Sequence, residues 1–303
     1  MNSQMVKSRP LFKSRALFPS IITLIFVAFI ESSILAQERV EPEDFLTLWA
    51  GTLPIILSAP HGGRHAIPKI PERRGIGIKH FVAGRDSNTD DLALGVALKL
   101  QDQLGEKPFL VIAHFERKFL DANRSRESAY ESEEAKPYYD AYHRALLNGC
   151  ERVRKEWGWG LLLDIHGQGS HSEVIFRGTH NGQSVFQLTK RFGSGALTGS
   201  KSVLGQMAQR GYKVLPGNNT NEREERYVGG YIIQTYGSHQ GTDIDAIQLE
   251  FGTRLRSQSN LSRTAADLAD AIVVFAREYL PLRRTSREQG DWSKREWNAG
   301  VME

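Results

Sequence analysis

The chain has 303 residues, of which 40% are hydrophobic and 24% charged, and its formal net charge is +4. This composition allows a sizeable buried core and excludes a disordered or fibrous protein. Length alone leaves one large domain or two small ones open.

The first 36 residues have the pattern of an export signal. Four basic residues precede an apolar stretch at 21–30, and Ala36 lies at a suitable cleavage position. We therefore expect a signal peptide at 1–36 and an exported protein, either periplasmic or extracellular. An uncleaved leader would instead anchor the chain, although its apolar part is shorter than the roughly 18 residues of a usual span. Without the leader, which holds four basic residues and one acid, the net charge is +1, and no nucleic-acid partner is expected.

The first predicted strand, at 54–57, runs into the motif SAPHGG. It delivers His61 to a Gly-Gly turn at the carboxyl end of the strand, the edge where open α/β sheets gather their ligands. Taken alone, His61 fits a hydrogen-bonded loop histidine better than a metal ligand.

The motif GRDSNTDDLA follows and leads into a predicted amphipathic helix that begins at about Thr89. Acids and small polar residues are preferred at helix N-termini, so capping explains part of this run. The run also offers a carboxylate to a metal site, for which Asp86 is the first choice and Asp90 the second. The alternatives His65, Glu72 and His80 stay open.

The strand predicted at 109–113 is followed by HFERKFLDANRSRE. Guanidinium groups bind carboxylates in a bidentate manner, and Asn123 beside Arg124 adds a neutral donor. Arg117 and Arg126 lie in the same loop. A carboxylate-binding loop is one interpretation, and a solvated charged loop is the other.

A long helix is predicted at about 134–157 and contains Cys150, the only cysteine. One cysteine excludes an intramolecular disulfide. Its place in an amphipathic helix predicts a buried, small apolar side chain rather than a nucleophile.

The strand predicted at 161–165 ends at a second histidine, His166, again followed by glycine. Asp164 and His166 share a face because strand side chains alternate, so the carboxylate can support the histidine or its loop. Two strand-end histidines of this kind indicate metal ligands more strongly than either alone. A catalytic zinc site keeps three protein ligands and one open position, so an acid such as Asp86 is needed to complete the set.

Two further strands are predicted at 174–176 and 212–215, and the last, at 246–251, contains Glu250. A carboxylate inside an apolar strand is costly to bury without a partner. Glu250 can activate a zinc-bound water, or it can pair with Arg254 or Arg256, and the two interpretations are compatible.

The alternation of short strands with amphipathic helices predicts an α/β layer protein. A last helix ends near Pro281, and no linker divides the chain, so one catalytic domain is expected at 37–282 with a polar tail at 283–303. The segment 216–236 and the motif GGYIIQTYG are predicted to line the substrate pocket.

The ordered motifs SAPHGG, RDSNTDDLA, DANR, LDIHG and QLEFGTR resemble the N-formylglutamate amidohydrolase family, whose fold is similar to that of zinc carboxypeptidases. The resemblance spans about residues 53–256. It implies a single-domain, three-layer αβα fold with a mixed, mostly parallel central sheet, of the zinc-carboxypeptidase/phosphorylase-hydrolase type.

The same resemblance implies that His61 and His166 bind one Zn²⁺, that Asn123 and Arg124 hold a substrate carboxylate, and that Glu250 is the general base. Carboxypeptidases carry a glutamate three residues after the first histidine, where this chain has Arg64. Asp86 is therefore taken as the third ligand, and Arg117 as an oxyanion partner.

The expected reaction is hydrolysis of N-formyl-L-glutamate, or a similar N-acylated acidic amino acid, to formate and glutamate. The expected partner is a small molecule or peptide with a free carboxylate. Two alternatives remain: an exported metallopeptidase or amidase for acidic peptides, and a non-catalytic carboxylate-binding protein.

Overall fold

The computed structural model of the chain describes residues 41–217 and 222–283. The predicted signal peptide at 1–36 and the predicted tail from 284 onward lie outside the described residues. Within the described part, the residues from Pro42 onward belong to one compact unit.

Seven strands form a single sheet in the order β1-β3-β2-β4-β7-β5-β6. β1 is antiparallel to β3 and β5 is antiparallel to β7, while the other neighbours are parallel. This confirms the predicted mixed, mostly parallel sheet. The strands are β1 (Leu46–Trp49), β2 (Ile55–Ala59), β3 (Phe109–Ala113), β4 (Gly160–Gln168), β5 (Val174–Gly178), β6 (Lys213–Leu215) and β7 (Ile244–Gly252).

The helices of the described residues cover both faces of this sheet. They are α1 (Thr89–Leu104), α2 (Arg126–Ala129), α3 (Lys136–Trp157), α4 (Phe186–Phe192), α5 (Gly195–Thr198), α6 (Val203–Gln209), α7 (Tyr231–Tyr236) and α8 (Leu261–Tyr279). The predicted start of α3 at 134 is wrong by two residues, because Glu133–Ala135 forms a separate 3₁₀ turn. Cys150 of α3 is buried, as predicted, and burial raises the pKa of its thiol to about 12.

Strand side chains alternate between two apolar layers. Leu161, Leu163 and Ile165 of β4 pack with α1 and α8, whereas Leu162 packs with α3 and α7. The alternation of buried side chains on the neighbouring strands follows the same rule. The sheet is therefore the middle layer of an αβα sandwich.

Polar side chains replace apolar ones at the carboxyl ends of three neighbouring parallel strands, on the α3 face. Ser58, Asp164 and Gln248 are register partners across β2, β4 and β7, and His166 is the register partner of Glu250. All five side chains are buried. Buried polar groups in such a row require partners, so this row marks the site.

Across residues 41–217 and 222–283, no helix has the length and apolar character needed to cross a membrane.

Candidate metal centre and active site

His166 lies at the end of β4 and is oriented by the strand that carries it. Its Nε2 lies 2.8 Å from Oδ2 of Asp164, two residues earlier on the same face. The Ser58 hydroxyl of β2 donates to Oδ1 of the same carboxylate. Each oxygen of Asp164 thus has a donor, and His166 carries its hydrogen on Nε2 and turns Nδ1 toward the cavity.

His61 follows β2 and is oriented by a carboxylate from a distant loop. Its Nε2 lies 2.7 Å from Oδ1 of Asp121, and the other oxygen of Asp121 accepts a hydrogen bond from Nε of Arg117 at 2.8 Å. The glycines after His61 are needed for close packing. A Cβ on Gly62 would lie 2.4 Å from the backbone nitrogen of Asp90, and a Cβ on Gly63 would lie 2.2 Å from a carbonyl oxygen.

Asp86 enters the site from the loop before α1. Its backbone N–H donates to the carbonyl of His61, and its Oδ2 accepts from the backbone N–H of Gly167. Asn88, in the left-handed conformation, then turns the chain into the helix and makes no side-chain capping bond to any described residue. Asp86 therefore faces the two histidines rather than capping the helix.

His61, Asp86 and His166 form a buried group that could hold a metal ion. The two Nδ1 atoms are 3.1 Å apart, and Oδ2 of Asp86 lies 3.5 Å and 3.4 Å from them. Ligands at about 2.0–2.1 Å from a tetrahedral ion lie roughly 3.3 Å from one another. Since each Nε2 faces a carboxylate, the two Nδ1 lone pairs meet with nothing to neutralise their repulsion unless a cation or proton lies between them. The donor set fits zinc.

The electrostatics of the site favour positive charge. Burial alone would lower the pKa of His166, but Asp164 and Asp86 raise it to about 10. Burial would raise the pKa of Asp86, but both histidines hold it below its ordinary value. The same balance, with His61 and Arg117 as the partners, holds the pKa of Asp121 well below its usual range. These carboxylates create the negative potential that attracts a divalent cation.

Glu250 lies beside His166 in the register of β4 and β7. Its Oε1 accepts a hydrogen bond from Nε2 of Gln248 at 2.8 Å. Burial raises the pKa of Glu250, with Asp86 adding to the rise and His166 opposing it. Neither Arg254 nor Arg256 pairs with it: Arg254 contacts Glu173, and Arg256 donates to backbone carbonyls.

Asn123 and Arg124 both line the cavity, in different ways. The Asn123 side chain is buried and fixed, because its oxygen accepts from the backbone N–H of Ile232 and its nitrogen donates to Gln248. The Arg124 guanidinium is partly exposed, and one of its nitrogens donates to the carbonyl of Asn123. The predicted role of this pair in carboxylate binding remains a prediction.

These residues line a cavity of about 970 Å³ that opens over the metal group. Its wall has more cationic than anionic side chains. The acids are Asp86 and Glu250, and the arginines are Arg85, Arg117, Arg124, Arg226 and Arg256.

The other predicted ligand candidates lie apart from the metal group. Asp90 faces Arg64 at 3.6 Å, and Glu72 pairs with Lys118 at 3.0 Å. His65 packs edge-on against Phe45, and His80 lines the outer cavity. Arg126, the fourth polar residue of its predicted loop, pairs with Asp140 on α3.

Sequence reasoning missed two groups that shape the site. Asp121 lies in the DANR motif, and the need of each histidine ligand for a carboxylate partner is the signal that points to its role. Arg226 lies in the charged run NEREERY, a pattern typical of a solvated loop, so the sequence does not single it out.

Comparisons with known proteins agree with this architecture. A family model described as N-formylglutamate amidohydrolase matches residues 126–256. A protein of Pseudomonas aeruginosa named N-formylglutamate deformylase is 25% identical over 274 residues, which cover 78% of this chain and 95% of the relative. Both matches show that this chain is similar to the N-formylglutamate amidohydrolase family. It is an amidohydrolase.

Two solved structures share the fold of this chain. The N-formylglutamate amidohydrolase of Ralstonia eutropha superposes with a TM-score of 0.53 at 16% identity, over 77% of this chain and 98% of the other. A gene product of Agrobacterium tumefaciens superposes with a TM-score of 0.51 at 12% identity, over 77% and 94%. At this identity the likeness concerns the fold alone.

Proposed function

We propose that the chain is a zinc-dependent hydrolase that cleaves the amide bond of an N-acylated acidic amino acid such as N-formyl-L-glutamate. The observation that carries the proposal is the convergence of two Nδ1 atoms and one carboxylate oxygen at separations of 3.1 to 3.5 Å. Glu250 lies next to this group in the sheet. The name of the Pseudomonas relative supports the choice of substrate.

His61, Asp86 and His166 would hold the ion. A zinc ion with three protein ligands supplies a Lewis acid for the carbonyl oxygen and lowers the pKa of water toward neutrality. Glu250 accepts the proton of the attacking water, and its raised pKa makes it a stronger base than an ordinary glutamate. The water oxygen bonds to the acyl carbon, the C–N bond breaks, and Glu250 passes the proton to the leaving nitrogen. Formate and glutamate are the products.

Arginines on the cavity wall bind the acidic part of the substrate. Arg124 is partly exposed at the wall, and Asn123 beside it is held rigidly by Ile232 and Gln248. A guanidinium binds a carboxylate through two parallel hydrogen bonds. Arg117 already binds Asp121 and lies 3.9 Å from Asp86, so it steadies the acids of the site and supplies positive charge near the acyl oxygen.

The test is turnover of N-formylglutamate by the purified protein before and after treatment with a chelator. We expect activity to be lost on chelation and restored by stoichiometric zinc. Turnover that is indifferent to metal removal would overturn the proposal. Glu250→Gln is expected to reduce kcat by about 10²–10⁴-fold while one zinc per chain stays bound. Glu278→Gln, on the surface of α8 beside Lys201, is the matched control and should leave both unchanged.

A second candidate substrate class is supported by the size of the cavity. Its volume of about 970 Å³ is near the upper end of the roughly 300–1,000 Å³ range of pockets for drug-sized ligands. An amide of a longer acidic compound, such as a γ-glutamyl peptide, would fill more of it than N-formylglutamate. A panel of N-formyl, N-acetyl and γ-glutamyl compounds ranks these classes by kcat/KM.

We further propose that the protein is exported. The support is the basic and apolar leader at 1–36, which ends in Ala36. N-terminal sequencing of the protein recovered from its producing cells should then begin at Gln37. A mature chain that retains the leader in the membrane fraction would instead indicate an anchored enzyme.

A further inference from the structure

Part of the cavity wall is formed by residues 226–230. They belong to the segment 224–230, which is fixed to the rest of the fold at its start. Glu224 is buried and accepts hydrogen bonds from Nε of Arg177, from the backbone N–H and hydroxyl of Thr179, and from the backbone N–H of Asn181. Its own backbone N–H donates to the Asn181 side chain at 2.9 Å. A carboxylate with this many donors is a rigid anchor.

The segment is fixed again four residues later. The carbonyl of Val228 accepts a hydrogen bond from the backbone N–H of His180 at 2.6 Å. Gly178 at the end of β5 touches the segment closely, since a Cβ there would lie 2.7 Å from the nitrogen of Gly229. Arg226 thus lies between two fixed points of the backbone. Because this backbone is already ordered, it loses little conformational entropy when a ligand binds.

The far end of the segment contacts the residues that surround the reacting centre. The backbone N–H of Gly230 donates to Gln248 at 2.6 Å, and a Cβ on Gly230 would lie 2.2 Å from the Asn123 side chain. Arg124 follows Asn123 directly. The segment therefore links Arg226 to the carboxylate-binding pair through one short stretch of ordered backbone.

Arg226 is the cavity arginine with the fewest protein partners. Arg117 and Arg256 are buried and bonded to the protein, and Arg85 donates to Ser87. Arg226 is exposed and packs over the ring of Tyr227 at 5.8 Å, and no described carboxylate lies within ion-pair distance. An unpaired guanidinium that stacks on an aromatic ring in a cavity wall is well suited to bind an anionic group of a ligand.

We propose that Arg226 is the specificity-determining residue that binds a second carboxylate of the substrate, while Arg124 binds the first. This inference rests on the proposed function in its choice of an acidic amino acid. It adds that the site selects a dicarboxylic amino acid over its neutral amide, glutamate over glutamine, through the guanidinium of Arg226, whose backbone segment is anchored by Glu224.

The test compares direct binding of L-glutamate and L-glutamine to the purified, zinc-loaded protein by calorimetry. Wild type is expected to bind glutamate at least 10-fold more tightly. Arg226→Gln should weaken glutamate binding by about 10- to 100-fold and leave glutamine binding unchanged, because a charged hydrogen-bonded contact is lost for one ligand only. Arg226→Lys, which keeps the charge without the planar fork, should restore part of the preference.

Arg223→Gln is the matched control, since Arg223 is exposed three residues before Arg226 and lines only the neighbouring surface pocket, which Arg226 also borders. It should bind both ligands as wild type does. An unchanged preference for glutamate in Arg226→Gln, an equal loss for both ligands, or no preference in wild type would each overturn the inference. If the preference behaves as expected but N-formylglutamate is not hydrolysed, the proposed function fails and the dicarboxylate site stands.

Discussion

His166 and His61 both present Nδ1 to the metal group and Nε2 to a carboxylate, but their carboxylates come from different parts of the chain. Asp164 is two residues from His166 on the same strand, and its other oxygen accepts from the neutral hydroxyl of Ser58. Asp121 is 60 residues from His61 and is bound by Arg117.

The difference shows that one half of the site is held by contacts within a strand and the other half by contacts between distant parts of the chain. The His166 half is fixed by the alternation of a strand, which any stable β4 provides. The His61 half depends on a loop held in place by buried ionic contacts. Removing one partner of such a contact leaves the other charge buried without a counter-charge. Matched substitutions in the two halves should therefore have unequal effects.

The largest effect is expected from Asp121→Asn. Oδ1 of Asp121 accepts from His61 and from the backbone N–H of Asn123, and Oδ2 accepts from Arg117. An amide NH₂ in either position would face a donor, and the buried Arg117 would lose the negative charge of the carboxylate that it binds most closely. We expect a loss of about 3–5 kcal/mol in the free energy of unfolding and up to about 100-fold in zinc affinity.

Denaturant titration and competitive zinc titration measure these two quantities. The control is Asp91→Asn, since Asp91 and its partner Arg64 are both exposed and surface pairs contribute about 0–1 kcal/mol. Equal stability of the two variants would contradict the idea that the His61 half depends on buried ionic contacts.

A third, half-buried histidine, His143 of α3, extends the comparison because its partners are neutral. Its ring nitrogens contact the Tyr236 hydroxyl and the carbonyl of Ala122. Burial lowers the pKa of His143 to about 4, whereas an unfolded histidine has a pKa near 6.5. The unfolded state therefore takes up the proton first, and the stability present above pH 6.5 is lost as the pH falls toward 4.

Between pH 7 and pH 5 this linkage amounts to about 2 kcal/mol. We expect His143→Gln to remove that part of the pH dependence, because glutamine can donate and accept but does not titrate in this range. The measurement is the free energy of unfolding of both proteins at pH 7 and pH 5. Parallel pH profiles would show that His143 is not kept neutral by the fold.

In the other half of the site, Asp164→Asn is expected to have a smaller effect than Asp121→Asn. The amide oxygen can still accept from His166, and the Ser58 hydroxyl can rotate to accept from the new NH₂. Zinc affinity should fall by about 10-fold because the negative charge is lost. The free energy of unfolding should fall by roughly 1–2 kcal/mol. A stability loss as large as that of Asp121→Asn would remove the distinction between the two halves.

The same division explains how much the sequence predicts. The spacing of apolar residues is enough to predict α1, α8 and six of the seven strands, because their apolar side chains alternate or recur on one face. β1 was missed since each of its four residues is only partly buried and no alternation appears. The fold class was confirmed because the sheet order follows from parallel strands joined by helices.

At the site, local pattern predicted the Asp164–His166 contact, which the structure confirms. It did not assign Asp121 to His61, because the two meet only through tertiary packing. Asp86 was preferred over Asp90 without a decisive sequence signal. The structure brings Asp86 to the histidines because Asn88 turns the chain, whereas Asp90 lies in the first turn of α1 and faces Arg64.

Ser58→Ala should give the smallest of these effects and shows how far support for His166 extends. The hydroxyl is buried and donates to Oδ1 of Asp164, so its removal leaves that oxygen without its donor while Asp164 keeps its charge and its contact to His166. We expect a loss of about 1 kcal/mol in stability and a few-fold loss in zinc affinity, with Ser58→Thr recovering most of the affinity. Thermal melts with and without zinc separate the two contributions, since a purely structural role for Ser58 would lower both melting temperatures equally. A larger loss of zinc affinity than in Asp164→Asn would mean that Ser58 acts on the site by a route other than Asp164.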